Sequence, residues 1–309
     1  MLVSQSTIGT WDRCRRKFYL SVYRRLGQPQ DYRSPLTVGT LVHDALEQYY
    51  EGAYSAAAGA AVLEPIAWVK ERSLSVMEQM PEFAEDIARD AELAGIMVDG
   101  YMDWLTETGA DADFEHVEPE RVIRAQLRPG LELIGKLDGK VLTKDGWTGF
   151  LETKTVGNFT DLPSYAPMNR QLLTYDLLEY LELLEANPEA TPLTDGAILN
   201  MLRKVKRSSR AKPPFYARHQ VRFNIHQLRS HWRHVVAIAG EIERATERLD
   251  AGEDHHAVTP PTPTSTCRWD CQFAAVCPLM DDGSDYESVI EFEYVETDPM
   301  ERYKEEAGI

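Results

Sequence analysis

The chain has 309 residues, of which 43% are hydrophobic and 27% are charged, a composition typical of globular proteins and unlike that of disordered or fibrous chains. No run of about 18 apolar residues occurs, and the N-terminus lacks the charged-then-apolar order of a signal peptide, so we expect a cytoplasmic protein. The net charge of -17 argues against a nucleic-acid partner for the surface as a whole, because neutralising phosphates requires Lys and Arg.

The charges are unevenly distributed along the chain. Residues 281–309 hold eleven acids and two basic residues, which predicts a solvated acidic tail. By contrast, residues 203–212 hold six basic residues and residues 13–33 hold seven. Two such runs on an acidic chain indicate local anion-binding surfaces.

The first third of the chain has helical patterns. Ser6 can cap a helix that continues to about Tyr23, and residues 37–50 place apolar side chains at helical spacing. Further helices are predicted over residues 53–110, with breaks near Pro65 and Pro81.

The pattern then changes to the two-residue period of strands, with Lys144-Asp145-Gly146 as a hairpin turn. The predicted strands are 121–127, 131–142, 147–155, 195–204 and 216–224; helices are predicted over 164–186 and 225–250, and a stiff linker over 259–266. This order predicts an α/β fold in which helices flank a mixed central sheet.

Four segments follow from this reading. They are a mainly helical N-terminal region (1–115), a core that carries the sheet (116–250), a linker with a cysteine segment (251–280) and the acidic tail (281–309).

Two of the predicted strands bring charged side chains together. Glu152 and Lys154 are two residues apart and therefore share one face of a strand, and Asp138 lies in the preceding strand of the hairpin. Two neighbouring carboxylates repel each other unless a hard cation such as Mg²⁺ or Mn²⁺ lies between them. A lysine beside them can orient a metal-bound water and stabilise charge that develops on a phosphate.

These residues resemble known motifs. GKLDGKV (135–141) and GFLETKT (149–155) are similar to the GxxD and ExK motifs of the PD-(D/E)XK nuclease superfamily, whose fold is restriction-endonuclease-like. The resemblance implies that Asp138, Glu152 and Lys154 are catalytic, and that Asp138, Glu152 and the Thr153 carbonyl bind Mg²⁺ or Mn²⁺. Glu118 or Glu120 could add a further carboxylate, or could be ordinary acids at a strand edge.

Two further matches point to the RecB-like branch of that superfamily. QLLTY (171–175) resembles its QxxxY helix, which implies that Gln171 and Tyr175 share one helical face beside the site and fix the substrate strand. His43 in GTLVHDAL resembles the helical histidine of the branch, which implies a further metal ligand or substrate contact.

The cysteines carry a third match. The chain has four, Cys14, Cys267, Cys271 and Cys277, arranged as in iron-sulfur RecB-like nucleases such as CRISPR-associated iron-sulfur exonucleases and the AddB nuclease domain. The resemblance implies that they hold a 4Fe-4S cluster. Three residues separate Cys267 from Cys271, where the family more often has two, so a structural Zn²⁺ site stays open as the alternative.

Taken together, the resemblance implies a Mg²⁺- or Mn²⁺-dependent DNA exonuclease of phage or bacterial recombination or repair. The alternatives are CRISPR spacer processing and a non-cleaving module that binds DNA ends. DNA is the expected partner, possible protein partners are a single-strand annealing protein, a helicase and CRISPR adaptation proteins, and no membrane contact is expected.

Overall fold

The computed structural model describes residues 1–29, 37–54, 64–159, 162–189 and 195–303. The chain forms two compact units: a terminal unit (Met1–Pro29, Arg124–Gly135, Arg229–Ile309) and a central unit (Gln30–Ile123, Lys136–Leu228). Among the residues described, no helix combines the length and apolar character needed to cross a bilayer.

The strands of the structure are β1 (Leu2–Ser4), β2 (Leu26–Gly27), β3 (Phe114–Arg128), β4 (Leu131–Thr143), β5 (Thr148–Val156), β6 (Ala197–Arg203), β7 (Tyr216–Val221) and β8 (Val295–Glu296). The α-helices are α1 (Gln5–Arg13), α2 (Arg15–Phe18), α3 (Val38–Tyr54), α4 (Pro65–Gln79), α5 (Ala84–Thr108), α6 (Leu162–Tyr165), α7 (Arg170–Ala186), α8 (Ile225–Asp250), α9 (His255–Val258), α10 (Cys267–Asp270) and α11 (Tyr286–Glu293).

Six strands form one mixed sheet in the order β1-β4-β5-β6-β7, with β3 also paired to β4. The β4–β5 and β6–β7 pairs are antiparallel, whereas β1–β4 and β5–β6 are parallel. In the central unit, α3 and α7 contact β5 and α5 contacts β6. The predicted α/β class and mixed sheet are therefore confirmed.

The hairpin between β4 and β5 positions the predicted acidic residues. Gly146 occupies the turn with φ 88°, a conformation that glycine adopts without strain, and its N–H donates to the Thr143 carbonyl at 2.9 Å. The register pairs Gly139 with Leu151, so Asp138 and Glu152 each lie one residue beyond that pair. The predicted turn is confirmed.

The N-terminal helix differs from the prediction. Ser4, not Ser6, caps α1, since its hydroxyl accepts from the Thr7 N–H at 3.2 Å. Cys14 has an extended backbone with φ -164° and ψ 118°, which ends α1 and starts α2. The single helix predicted from Ser6 to about Tyr23 was therefore wrong, and the break falls at a predicted cluster ligand.

The acidic tail is not simply solvated, contrary to the prediction. Residues 286–296 form α11 and β8, and β8 pairs with β2 in an antiparallel ladder. Ile290 and Tyr294 are buried in an apolar cluster with Leu20 and Phe273. Two side chains of this acidic segment that are four residues apart, Ile290 and Tyr294, are therefore buried against other parts of the terminal unit.

Four arginines of the N-terminal basic run form ion pairs within the terminal unit, which removes much of the predicted anion-binding surface. Arg16 is 2% exposed and makes two hydrogen bonds to the Asp281 carboxylate, at 2.6 and 2.8 Å. Arg24 makes a similar pair with Glu287, with two bonds of 2.8 Å. Arg13 and Arg15 pair with Asp270 and Glu241, and Arg33 lies outside the described residues.

Candidate active site

The predicted metal ligands and Lys154 lie on three elements of the central unit. Asp138 is on β4, Glu152 to Lys154 are on β5, and His43 is on α3. The Thr153 amide N–H donates to Asp138 Oδ2 at 2.7 Å, and His43 Nδ1 lies 3.4 Å from the same oxygen. The structure therefore brings together the residues that the sequence placed up to about a hundred positions apart.

Asp138 is held in its ionised form. Burial alone would raise the pKa of this carboxyl group, but His43, the Thr153 N–H and Lys154 together lower it below its ordinary value. Burial likewise opposes protonation of His43, yet the neighbouring Asp138 carboxylate outweighs it and raises the imidazole pKa. The two groups thus stabilise each other's charged forms.

Glu152 is in a different electrostatic position. Its side chain is 1% exposed, and burial together with the Asp138 charge raises its pKa to about 7. Glu152 Oε1 accepts from Lys154 Nζ at 2.6 Å, whereas Oε2 is buried without a hydrogen-bond partner. A buried carboxylate oxygen without a donor is costly, and a cation would relieve that cost.

Lys154 is oriented by a chain of hydrogen bonds from α7. Its Nζ donates to Gln171 Oε1 at 2.9 Å, and Gln171 Nε2 donates to the Tyr175 hydroxyl at 3.1 Å. The α7 helix begins with Asn169, whose side chain accepts from two backbone N–H groups and so fixes the helix start beside β5. Tyr175 is 4% exposed, so its hydroxyl meets Gln171 in the interior.

The family model of the PD-(D/E)XK nuclease superfamily matches residues 2–278. The chain belongs to this superfamily. The match ends before the acidic tail of residues 281–309.

Two solved structures are similar to this superfamily member. One, named "Putative exonuclease", is from Eubacterium rectale; it has 12% identity and a TM-score of 0.44, and the match covers 81% of this chain and 82% of that one. The other, SSO0001, has 16% identity and a TM-score of 0.31 and covers 79% and 85%. Both TM-scores are too low to carry a conclusion about activity. A search of curated proteins gives no match.

Acids near the candidate site are engaged in local contacts. Glu118 pairs with Arg121, and Glu120 forms an ion pair with Lys136, so each of these candidate carboxylates already has a cation beside it. Asp44, which the sequence did not single out, follows His43 on α3. Burial and the Glu120 charge raise the pKa of Asp44 to about 6.

The four cysteines lie in the terminal unit and line one cavity of about 380 Å³. None forms a disulfide. The Thr262 N–H donates to Cys14 Sγ at 3.4 Å and the Thr264 N–H donates to Cys267 Sγ at 3.3 Å. The Thr264 contact lowers the pKa of the Cys267 thiol, which favours the thiolate that binds metals.

A histidine pair lies elsewhere in the same unit. Within the described ranges, Asp254, His255 and His256 are the one group of three potential ligands whose donor atoms all lie within 4.8 Å of one another. Both ring nitrogens of His256 already have partners, Asp254 Oδ1 at 2.9 Å and the Met280 carbonyl at 2.8 Å. This group forms the hydrogen-bonded N-terminus of the short helix α9, in which the Asp254 side chain accepts from the His256 N–H.

Proposed function

We propose that the chain is a Mg²⁺- or Mn²⁺-dependent exonuclease that hydrolyses phosphodiester bonds of DNA. The observation that carries the proposal is the buried Oε2 atom of Glu152. This atom lacks a hydrogen-bond donor, and the Asp138 carboxylate on the neighbouring strand repels it. Two carboxylates in this setting are the ligands that a hard divalent cation prefers, and they repel each other without one.

The residues present fit such a cation. Asp138, Glu152 and the backbone carbonyl of Thr153 would supply oxygen ligands, and His43 would supply an imidazole or a substrate contact. When bound, the cation would neutralise charge on the scissile phosphate and lower the pKa of a coordinated water. The 152–154 segment is anchored for this task because its Thr153 N–H is bonded to Asp138.

Lys154 is proposed to orient the attacking water and to stabilise negative charge on the phosphate. Its side chain is 29% exposed, so the ammonium group is accessible although two acceptors hold it in place. Fixing a lysine side chain in one conformation costs about 2 kcal/mol of rotamer entropy. Because these contacts fix Lys154 before the substrate arrives, less of that cost remains to be met during the reaction.

Gln171 and Tyr175 are proposed as positioning residues. Both are linked to Lys154, because Gln171 accepts from its ammonium group and Tyr175 accepts from Gln171. The prediction that both fix the substrate strand stays a prediction.

The exonuclease assignment rests on the resemblance to CRISPR-associated iron-sulfur exonucleases and the AddB nuclease domain. A role in recombination, repair, phage DNA processing or spacer processing, and the protein partners that each role implies, stay predictions of that resemblance.

We also propose that Cys14, Cys267, Cys271 and Cys277 hold a 4Fe-4S cluster. Around tetrahedral Zn²⁺, with bonds of about 2.3 Å, thiolate sulfurs lie roughly 3.8 Å apart. Among the described residues, no three cysteine sulfurs lie within 4.8 Å of one another. A cubane cluster binds each thiolate through a different iron, so its four ligands can be farther apart than those of one zinc ion, and all four cysteines line one cavity of about 380 Å³.

The decisive experiment is digestion of linear DNA with Mn²⁺. Wild-type protein should release nucleotides from end-labelled DNA, and Lys154→Ala should lower the rate by at least about 100-fold. Lys144→Ala is the matched control, since this lysine in the same hairpin contacts the Ala112 carbonyl and lies outside the site.

The label and the DNA form separate the alternatives. Labels at the 5′ and 3′ ends report polarity, and closed circular DNA should resist an exonuclease. Cleavage of the circle would refute the exonuclease assignment. DNA binding with equal inactivity of wild type and Lys154→Ala would favour the non-cleaving module.

A further inference from the structure

A row of polar residues crosses the central unit on the sheet face opposite to Glu152 and Lys154. Thr153 on β5 pairs in register with Asn200 on β6, and Asn200 pairs with Arg218 on β7. Asn200 Nδ2 donates to Thr153 Oγ1 at 3.4 Å, and Arg218 Nε donates to Asn200 Oδ1 at 3.3 Å. Because strand side chains alternate, this row lies directly behind the proposed catalytic residues.

The Arg218 guanidinium also binds the helices that cover this face. It forms an ion pair with Asp111 at 2.6 Å and donates to the hydroxyls of Tyr50 on α3 and Tyr101 on α5, at 2.9 and 2.7 Å. The Tyr101 hydroxyl in turn donates to Asn200 Oδ1 at 3.1 Å. One buried cation therefore joins three strands and two helices.

Such a network is a poor way to gain stability alone. Asn200 and Tyr101 are fully buried, and the Arg218 and Asp111 side chains are only 13% and 9% exposed. Removing two charges from water costs several kcal/mol per ion, and apolar replacements of a buried pair are often neutral or stabilising. Buried polar groups are best known for fixing register, and a one-residue slip of β5 would move Glu152 and Lys154 to the other face.

Two parts of this network lead to the two groups that contact the Asp138 carboxylate. Tyr50 and His43 are seven residues apart on α3 and therefore lie on the same side of that helix. Thr153, at the other end of the row, carries the N–H that donates to Asp138. Arg218 thus fixes both the helix that presents His43 and the strand that presents Thr153.

We propose that Arg218, with Asn200, is a positioning residue of the nuclease site: it holds Thr153 and the His43 helix so that the cation ligands are preorganised. This inference rests on the proposed metal-dependent function. Groups that orient metal ligands from behind change metal affinity or activity by about 10–100-fold when they are removed.

The test measures Mn²⁺ affinity without DNA, from the electron paramagnetic resonance signal of free Mn²⁺, together with the melting temperature. In the double variant Arg218→Met with Asp111→Leu, the dissociation constant should rise about tenfold while the metal-free melting temperature stays equal or rises. The matched control is Lys206→Met with Glu92→Leu, which removes an exposed ion pair of the same unit and should change neither quantity.

A milder variant keeps the test decisive if the double variant does not fold. Tyr101→Phe removes only the hydroxyl between Arg218 and Asn200, and it should raise the Mn²⁺ dissociation constant about threefold. Wild-type affinity in every variant that folds would overturn the positioning role while leaving the nuclease proposal intact. A wild-type protein that binds no Mn²⁺ would overturn both.

Discussion

Glu152→Gln should stabilise the metal-free protein at pH 8. The pKa of Glu152 is raised from 4.5 to about 7 by burial and the Asp138 charge. Between these values the folded state holds a proton that the unfolded state releases, so the contribution of this group to stability falls as pH rises from about 4.5 to 7. Above pH 7 the folded protein bears the full cost of the buried charge.

The magnitude follows from that shift. Each unit of pKa shift corresponds to 1.36 kcal/mol, so the buried charge destabilises the folded state by about 3 kcal/mol at pH 8. The glutamine variant loses this penalty, and the attraction of Lys154 is already included in it because Lys154 lowers the pKa against burial and the Asp138 charge. A net gain of about 3 kcal/mol should raise the melting temperature by roughly 5 °C in a protein of this size.

The assay is thermal unfolding in EDTA at pH 5 and pH 8, with and without Mn²⁺. In EDTA the variant should melt above wild type at pH 8, and the two should converge at pH 5. Saturating Mn²⁺ should reverse the order, because a cation at about 1,000 times its dissociation constant stabilises the wild type by about 4.1 kcal/mol and binds the variant weakly.

Glu115→Gln removes an exposed acid of β3 and should leave both temperatures unchanged. The reasoning would be refuted by a variant that is less stable than wild type at pH 8 in EDTA, or by an advantage that does not depend on pH.

Three further outcomes are expected. Gln171→Ala should lower the cleavage rate about tenfold at saturating Mn²⁺ without changing Mn²⁺ affinity, since it removes an acceptor of the Lys154 ammonium. Cys271→Ala should reduce iron content, visible absorbance and melting temperature, whereas zinc in the wild-type protein by elemental analysis would contradict the cluster. Arg16→Met should destabilise the protein by about 2 kcal/mol in chemical denaturation because it removes charged hydrogen bonds, while Arg248→Met, at an exposed ion pair, should not.

The sequence predicted the β4–β5 hairpin, which carries the proposed catalytic residues, because local rules govern it. Alternation places Glu152 and Lys154 on one face, and a glycine turn brings Asp138 to the neighbouring strand. The contact of Lys154 with Gln171 does not follow from local order, since residues 157–169 separate β5 from α7; the resemblance alone placed Gln171 beside the site.

Other features depended on contacts between distant residues. No proline or glycine marks the break at Cys14. The acidic segment 286–296 has the composition of a solvated tail, and only the tertiary structure shows that Ile290 and Tyr294 pack in an apolar cluster. Similarly, Arg218 lies on β7 between Ala217 and His219, and this local pattern does not distinguish it from an exposed strand residue. Its burial depends on tyrosines of two helices more than a hundred positions away.

The contacts on one face of β5 bear on the energetic cost of the buried charge on the other face. On one face, burial and repulsion make the ionised Glu152 carboxylate unfavourable, so the strand could lower its free energy by exposing that group to water. On the other face, the Asn200 and Arg218 contacts oppose any slip that would let it do so. The proposed cation site would have to keep its geometry when the cation is absent, and we propose that the buried polar row supplies that rigidity at a cost in stability.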